Sequence, residues 1–199
     1  MNLQDTYLQQ LVPTIPVPRY ESLDWLAESG HRFLVASDGL WLETRRPWLH
    51  LVWPVGMANS VAIPYGQLSR RCDVAGGKLP ASLMMEFIRF AQQQPGIERA
   101  AWIVWDEELR SYRFRDVKVL HASRDRIQYE RPTLADHEHL VVDMHSHGNL
   151  RAFFSDQDDS DDRGEVKFSF VVGDCHTNRV TTCLRLCANG LFIPAPFEL

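Results

Sequence analysis

The sequence lacks any apolar run long enough to cross a membrane. A transmembrane helix needs about 18 or more consecutive apolar residues, and no window of the chain reaches that length. The first residues, MNLQDTYLQQL, also lack the basic start and the apolar core of a secretory signal. We therefore expect a cytoplasmic protein that has no membrane as a partner.

Positive charge is in short supply as well. The chain carries 21 Lys and Arg against 26 Asp and Glu, which gives a formal net charge of −5. The basic cluster Ser69-Arg70-Arg71 is small, whereas nucleic-acid interfaces depend on many clustered Lys and Arg side chains that contact phosphates. The charge balance thus argues against nucleic acid as a partner.

Cysteine is scarce, and no two cysteines form a CxxC pair. The four are Cys72, Cys175, Cys183 and Cys187, and a cytosolic chain of this size does not need disulfides. A zinc site built from Cys175, His176, Cys183 and Cys187 is an alternative interpretation, but it lacks the CxxC knuckle of many structural zinc sites. Cys183 and Cys187 lie in an apolar, strand-like segment, where buried thiols that act as small hydrophobes are the commoner case.

The first third of the chain has the pattern of a small β-rich region. Asp38-Gly39 is a strong signal for a two-residue turn between two strands, and Trp48–Trp53 predicts a third strand. Residues 20–29 are compatible with a short helix. We place this N-terminal β-rich region at residues 1–77, where it ends in the Gly76-Gly77 loop.

The remaining residues, 78–199, predict an α+β domain. Pro80 suits the first turn of a helix whose apolar positions form one wide stripe, and Pro95-Gly96 ends that helix. Apolar strands then recur along the chain, and Asn189-Gly190 marks a final hairpin. One helix followed mostly by strands favours a mixed β-sheet flanked by helices.

Two histidines and an aspartate form a pattern typical of a metal site. His145 and His147 lie two residues apart at the end of the apolar segment LVVDMHS, so on a strand they project from the same face. Asp158 follows on a connection long enough to return to that face. Two imidazoles and one carboxylate make a three-ligand set for a divalent ion, most often zinc, and leave a fourth position open for water. An open position is typical of a catalytic metal, so the pattern indicates a hydrolase.

The pattern His145-x-His147-x7-Ser155-x2-Asp158 resembles the signature of the MPN/JAMM (JAB-domain) zinc metalloproteases. Members of this family are peptidases and isopeptidases that cut after the C-terminal tail of ubiquitin, ubiquitin-like or sulfur-carrier proteins. The resemblance covers residues 80–199 and implies a cytidine-deaminase-like fold with Zn²⁺ bound by His145, His147 and Asp158. It also implies that the hydroxyl group of Ser155 stabilises the transition state.

The family also has an upstream glutamate at the junction between its first helix and the next strand. Here Glu98 precedes the strand-like segment AAWIVW, so the resemblance implies that Glu98 is the catalytic acid and base. The alternatives are a solvated Glu98 paired with Arg99, and Glu86 in its place, although Glu86 falls in the middle of the predicted helix. Gly148 stands where many members have proline, a departure that concerns loop stiffness and substrate fit more than metal binding.

The acidic run between Asp156 and Glu165 has two interpretations. A calcium-binding loop needs glycine at its sixth position for a sharp turn, and this chain has Asp161 there. We therefore interpret the run as a solvated acidic loop around one ligand, Asp158. Its charge would help to retain the metal or to receive a basic patch on a partner.

The N-terminal region carries a second, narrower resemblance. A metalloprotease domain preceded by a β-rich extension is similar to the protein A family of the bacterial PRTRC cassette, which is often carried on plasmids. That resemblance implies a ubiquitin-like protein as substrate and a ThiF-related activating enzyme as partner. The alternative to a peptidase is a non-catalytic MPN-type scaffold in such a cassette, against which the intact ligand residues count. A role in DNA maintenance, as attached to RadC-type relatives, is disfavoured by the acidic charge.

Overall fold

A computed structural model describes residues 2–58, 60–122 and 127–195 of the chain. The chain divides into two compact units, Met1–Gly77 (unit 1) and Lys78–Leu199 (unit 2). Among the described residues, no helix combines the length and the apolar character that crossing a bilayer requires. No strand of one unit pairs with a described strand of the other.

In unit 1, the described residues form one helix and a five-stranded sheet. Its elements are α1 (Leu3–Leu11), β1 (Thr14–Pro16), β2 (Gly30–Ala36), β3 (Gly39–Arg46), β4 (Leu49–Met57) and β5 (Arg71–Val74). The strands lie in sequence order across the sheet. β1 runs parallel to β2, and every other neighbouring pair is antiparallel.

The hairpin between β2 and β3 turns one residue earlier than predicted. Ala36 pairs with Gly39, so the two turn residues are Ser37 and Asp38. Gly39 has a φ of +138°, and a Cβ atom there would lie 2.1 Å from the carbonyl oxygen of Gly56. The first residue of β3 must therefore be glycine. This requirement explains why Asp38-Gly39 predicted the turn to within one residue.

The helix predicted at residues 20–29 is wrong, because side chains take up backbone groups that a helix would pair. The fully buried carboxylate of Glu43 accepts a hydrogen bond from the amide of Leu26 at 2.9 Å. Arg32 donates to the carbonyl oxygen of Asp24 and forms an ion pair with Glu43 at 2.6 Å. These contacts hold the segment as an irregular loop.

The loop helps to cover a small apolar core on one face of the unit 1 sheet. Leu23 from the loop and Leu68 from the segment before β5 pack against this core. The buried members of the core are Val17, Leu34, Ala36, Trp41 and Val52. Burial of such side chains contributes roughly 1.5–3 kcal/mol each to folding.

Within residues 78–122 and 127–195, unit 2 contains two helices, a six-stranded sheet and a separate two-stranded sheet. Its elements are α2 (Ala81–Gln92), β6 (Ala100–Asp106), β7 (Ser111–Asp116), β8 (Lys118–Ala122), β9 (Ile127–Glu130), β10 (Glu138–Ser146), α3 (Asp156–Asp162), β11 (Val166–Gly173), β12 (Thr181–Ala188) and β13 (Leu191–Pro194). The six-stranded sheet has the order β13-β12-β11-β10-β6-β7, and β8 pairs with β9. The structure confirms the predicted helix after Pro80 and the hairpin at Asn189-Gly190.

β10 is the strand that positions the candidate site. It runs antiparallel to β6 on one side and parallel to β11 on the other, so the sheet is mixed as predicted. Parallel neighbours need a crossover connection, and here the crossover contains α3. The α+β fold, with a mixed sheet and a β-rich N-terminal region, is confirmed.

Candidate metal centre

Two imidazole rings meet at the carboxyl end of β10. His145 lies on β10, and His147 directly follows its last residue. The Nε2 atoms of the two rings are 3.1 Å apart. Two ring nitrogens this close need a proton or a cation between them, because two lone pairs would repel each other. The alternation of side chains along the strand therefore brings both histidines to one point.

Asp158 reaches the same point from the first turn of α3. Its Oδ1 atom lies 3.2 Å from Nε2 of His145. One ligand atom from each of His145, His147 and Asp158 lies within 4.8 Å of the other two. Across residues 2–58, 60–122 and 127–195, this is the single group of His, Cys, Asp and Glu that meets that criterion. The structure thus brings together the three residues predicted as ligands.

The donor atoms are spaced as a small divalent ion requires. Ligand atoms held about 2.0–2.1 Å from a tetrahedral zinc ion lie about 3.3 Å from one another. The two distances at Nε2 of His145, 3.1 Å to His147 and 3.2 Å to Asp158, are close to that separation. Two imidazole nitrogens and a carboxylate oxygen are also donors that zinc accepts. The residues present therefore fit the metal that the sequence analysis expects.

The environment of His147 favours the neutral form of its imidazole ring, which is the form that binds a metal ion. Burial lowers the pKa of His147, and the nearby ring of His145 adds to this effect. Phe153 packs edge-on against His147, with ring centroids 4.5 Å apart. Histidine binds a metal through a deprotonated nitrogen. Burial therefore favours the form of His147 that can coordinate a metal ion.

The acidic segment after Ser155 is a helix rather than the predicted loop, although every residue of it except Asp162 is at least partly exposed, as expected. Ser155 caps α3: its hydroxyl oxygen accepts a hydrogen bond from the amide of Asp158 at 3.2 Å. In return, the amide of Ser155 donates to Oδ2 of Asp158 at 2.7 Å. This reciprocal arrangement is a capping box. The pattern Ser-x-x-Asp is itself a helix-start signal, and it was overlooked.

The hydroxyl group of Ser155 is directed at the carboxylate of Asp158. It donates to Oδ2 at 2.6 Å, which leaves Oδ1 facing His145. A serine hydroxyl has one hydrogen to donate, and here that hydrogen orients Asp158. For the transition-state role that the family resemblance implies, the hydroxyl group would have to rotate away from this partner.

Glu98 lies in the segment between α2 and β6, and only 7% of the residue is exposed. It lines the same cleft as His145, His147 and Asp158. This burial differs from the alternative of a solvated loop residue, and the rival Glu86 is exposed on α2. The structure thus places Glu98 in the same cleft as the predicted ligands.

Gly148 brings the chain after the second histidine close to the segment that leads to Glu98. Its φ is +55°, and a Cβ atom at this residue would lie 2.7 Å from the carbonyl oxygen of Pro95. A proline has its φ fixed near −65°, so it cannot take this conformation. The departure from the family pattern is therefore structural: the chain needs glycine here.

The cleft around the ligands has a volume of about 680 Å³, which lies within the usual range for ligand pockets. Ile127, Gln128 and Tyr129 of β9 line it. Asp143 of β10 and Lys167 of β11 also line it. The cleft therefore extends well beyond the three metal-ligand residues, with polar side chains on its surface.

A buried network of charges lies beside the ligands, and the sequence analysis missed it. Nζ of Lys167 is 2.6 Å from Oδ2 of Asp143 and 2.9 Å from Oδ1 of Asp162. Arg185 pairs with Asp162 at 2.7 Å and with Asp159 at 2.5 Å. Asp159 and Asp162 of the acidic run are therefore ion-pair partners, and Asp162 is buried while Asp159 stays partly exposed.

In the described part of the chain, the cysteines and His176 form no group whose ligand atoms lie close enough to share a metal ion. All four are free thiols. Sγ of Cys187 lies 3.4 Å from Oδ2 of Asp162, and burial raises the pKa of this thiol to about 12. Cys183 donates to the carbonyl oxygen of Ala152 at 3.3 Å. These side chains pack in the sheet, as the commoner interpretation expected.

A domain of the JAB/MPN class combines a mixed sheet with a His-x-His pair at the end of one strand. Here that strand is β10, and the capped helix α3 supplies the aspartate. The profile of the prokaryotic homologs of the JAB domain matches residues 80–186, and the chain belongs to this family. The predicted resemblance to the JAB-domain family is thereby confirmed. A second profile, a domain of unknown function (DUF2016), matches residues 2–75. A comparison with curated proteins finds no match.

Proposed function

We propose that this protein is a zinc-dependent peptidase or isopeptidase. The observation that carries the proposal is the convergence of His145, His147 and Asp158, whose ligand atoms lie within 4.8 Å of one another at the edge of a cleft. Membership of the JAB family supports the same chemistry. The substrate we propose is the bond after the flexible C-terminal tail of a ubiquitin-like or sulfur-carrier-like protein.

The two histidines and the aspartate would hold the zinc ion. When bound, zinc supplies Lewis-acid chemistry, which polarises a scissile carbonyl group and makes water a stronger acid. Glu98 lines the same cleft, and its carboxylate would take a proton from the attacking water. The same carboxyl group would then return that proton to the leaving nitrogen.

The substrate tail would lie in the cleft as an extended chain. β9 pairs with β8 and contributes Ile127, Gln128 and Tyr129 to the cleft wall. Strand addition to a sheet edge fixes a flexible tail through backbone hydrogen bonds, without demanding one side-chain sequence. A ThiF-related activating enzyme remains the proposed partner, because it would make the conjugates that this protein cuts.

Replacing Glu98 by glutamine in zinc-loaded protein tests the proposal. The readout is cleavage of a ubiquitin-like protein that carries a C-terminal extension, measured beside zinc content. We expect Glu98→Gln to retain zinc and to lose at least about 100-fold in rate, since general acid–base catalysis is worth roughly 10²–10⁴. Glu86→Gln, on the exposed face of α2, is the matched control and should cleave normally.

The results also separate a peptidase from the scaffold alternative. A wild-type protein that binds no zinc and cleaves none of the extended substrates would support a non-catalytic scaffold. Cleavage at the normal rate by Glu98→Gln would remove Glu98 from the mechanism while leaving zinc binding in place.

A further inference from the structure

Two contacts connect β10 to α3 beside the cleft. In the first, Oδ1 of Asp158 lies 3.2 Å from Nε2 of His145. In the second, the ammonium group of Lys167 bridges Asp143 on β10 and Asp162 on α3, at 2.6 Å and 2.9 Å. The first contact joins two proposed zinc ligands. The second joins Asp143, which is near His145 in the chain, to Asp162, which is near Asp158.

The spacing of these residues couples the two contacts. Asp143 precedes His145 by two strand residues, a rise of about 6.6 Å. Asp162 follows Asp158 by four helix residues, a rise of about 6 Å. On each element, the residue of the second contact therefore lies about 6 Å from the residue of the first contact and on the same face. Movement of α3 away from Lys167 would also move Asp158 away from His145.

A few polar contacts hold α3, and among the described residues the bridge through Lys167 is the one that reaches Asp143 on β10. The helix is seven residues long, and Asp162 is its one buried residue. Isolated helices of this length are not stable in water. The capping box of Ser155 stabilises the start of α3, and Asp162 is positioned to hold its end. Polar contacts rather than an apolar face thus fix the helix.

The groups of the second contact are paired within the protein. The side chains of Lys167 and Asp162 are 6% and 5% exposed. Oδ2 of Asp162 accepts hydrogen bonds from Ser169 and Arg185, both at 2.7 Å, and Oδ1 of Asp143 accepts one from Tyr129 at 3.0 Å. Charges satisfied in this way suit a structural connection better than a site for a charged ligand.

We infer that Lys167 is a positioning residue for the metal centre, which holds α3 against β10 so that Asp158 and His145 face one ion. The inference rests on the proposed function only in taking zinc as that ion. Lys167 lies on β11, the parallel neighbour of β10, so its ammonium group reaches both carboxylates from a rigid strand.

The test is zinc affinity in Lys167→Met, measured by competition with a chelator. We expect the dissociation constant for zinc to rise about 10- to 100-fold, as for other residues that orient metal ligands. The visible absorption of cobalt-loaded protein, which reports coordination geometry, should change as well. Lys118→Met is the matched control, because Lys118 forms a 2.7 Å ion pair with Glu130 on the exposed β8–β9 hairpin. It should leave both readouts unchanged.

A second variant keeps the test decisive if Lys167→Met does not fold. Asp143→Asn keeps the size of the side chain and its contacts with Trp102 and Tyr129 but weakens the bridge, so zinc affinity should fall about threefold or more. If Lys167→Met folds and has the zinc affinity and cobalt spectrum of the wild type, the inference is overturned. If Lys167→Met does not fold, the same result in Asp143→Asn overturns it. Wild-type protein that binds neither metal overturns it too. Wild-type protein that binds zinc yet cuts no peptide overturns the proposed function alone.

Discussion

The amide of Arg99 donates a hydrogen bond to the hydroxyl oxygen of Ser146, at 2.9 Å. The amide of Ser146 in turn donates to the carbonyl oxygen of Arg99 at 2.8 Å. Ser146 stands between the two site histidines, and Arg99 directly follows Glu98. This pair of hydrogen bonds therefore fixes the backbone beside the proposed acid–base residue against the strand that carries the ligands.

Ser146→Ala should lower the cleavage rate more than it lowers zinc affinity. The substitution leaves the amide of the half-buried Arg99 without its side-chain acceptor, which costs up to about 1–3 kcal/mol. Glu98 would then be held less firmly, and we expect a loss of about tenfold in kcat with a zinc dissociation constant within twofold of wild type. Ser146→Thr keeps the hydroxyl group and should restore most of the rate. Loss of zinc in Ser146→Ala would point to a role in metal binding instead.

Ser155→Ala should weaken both the helix and the metal centre. The variant loses the hydroxyl that caps α3 and donates to Oδ2 of Asp158 at 2.6 Å. Loss of an N-cap costs roughly 0.5–2 kcal/mol. Oδ2 of Asp158 would keep the hydrogen bond from the amide of residue 155 but lose the one from the hydroxyl group, and this weaker orientation should raise the zinc dissociation constant about tenfold. Chelator competition and thermal denaturation measure the two effects.

Ser155→Thr provides the control, because threonine can also cap a helix and donate the same hydrogen bond. It should bind zinc nearly as well as the wild type. Normal zinc affinity in Ser155→Ala, together with a large loss of cleavage, would instead support the transition-state role that the family resemblance implies.

Zinc should raise the melting temperature of the protein. A ligand that binds only the folded state stabilises it by about 2.7 kcal/mol at 100 times its dissociation constant, which corresponds to a shift of several degrees for a domain of this size. His147→Ala should lose the shift. His139→Ala should keep it, because His139 contacts Glu107, 3.0 Å away, rather than the ligand group. A zinc-induced shift that survives in His147→Ala would place the ion elsewhere.

The ligands were predictable because their placement follows from local rules. Side-chain alternation alone puts His145 and His147 on one face of β10, and a parallel crossover returns the chain to the same sheet. The helix α2 was equally accessible, since its buried residues Phe87, Ile88 and Ala91 repeat at helical spacing. Periodicity within one element needs no knowledge of the fold.

Two kinds of feature could not be predicted from the sequence. Some depend on contacts between residues that are distant in the chain, and others lack an apolar pattern that would indicate a helix. Lys167 is 24 residues from Asp143, and nothing local to either residue predicts their contact. The loop at residues 20–29 is held by Glu43, which lies on a later strand. α1 went unpredicted because none of its residues is buried, so it has no apolar stripe that faces a core.

His50 should make the stability of unit 1 depend on pH. Burial lowers its pKa from 6.5, although the hydrogen bond and the charge of Glu43, at 3.0 Å, partly offset this effect. The folded protein therefore keeps His50 neutral at pH values where the unfolded chain binds a proton. This contribution to stability is complete above about pH 6.5 and declines as the pH falls below that value.

The measurement is urea denaturation between pH 7.5 and 5, followed by tryptophan fluorescence, since the rings of Trp25 and His50 lie 5.5 Å apart. His50→Gln removes the titrating group and should flatten the decline. A remainder should persist, because burial also lowers the pKa values of His31 and His147. His121→Gln, at an exposed position on β8, should decline like the wild type. An unchanged slope in His50→Gln would mean that protonation of His50 does not oppose folding.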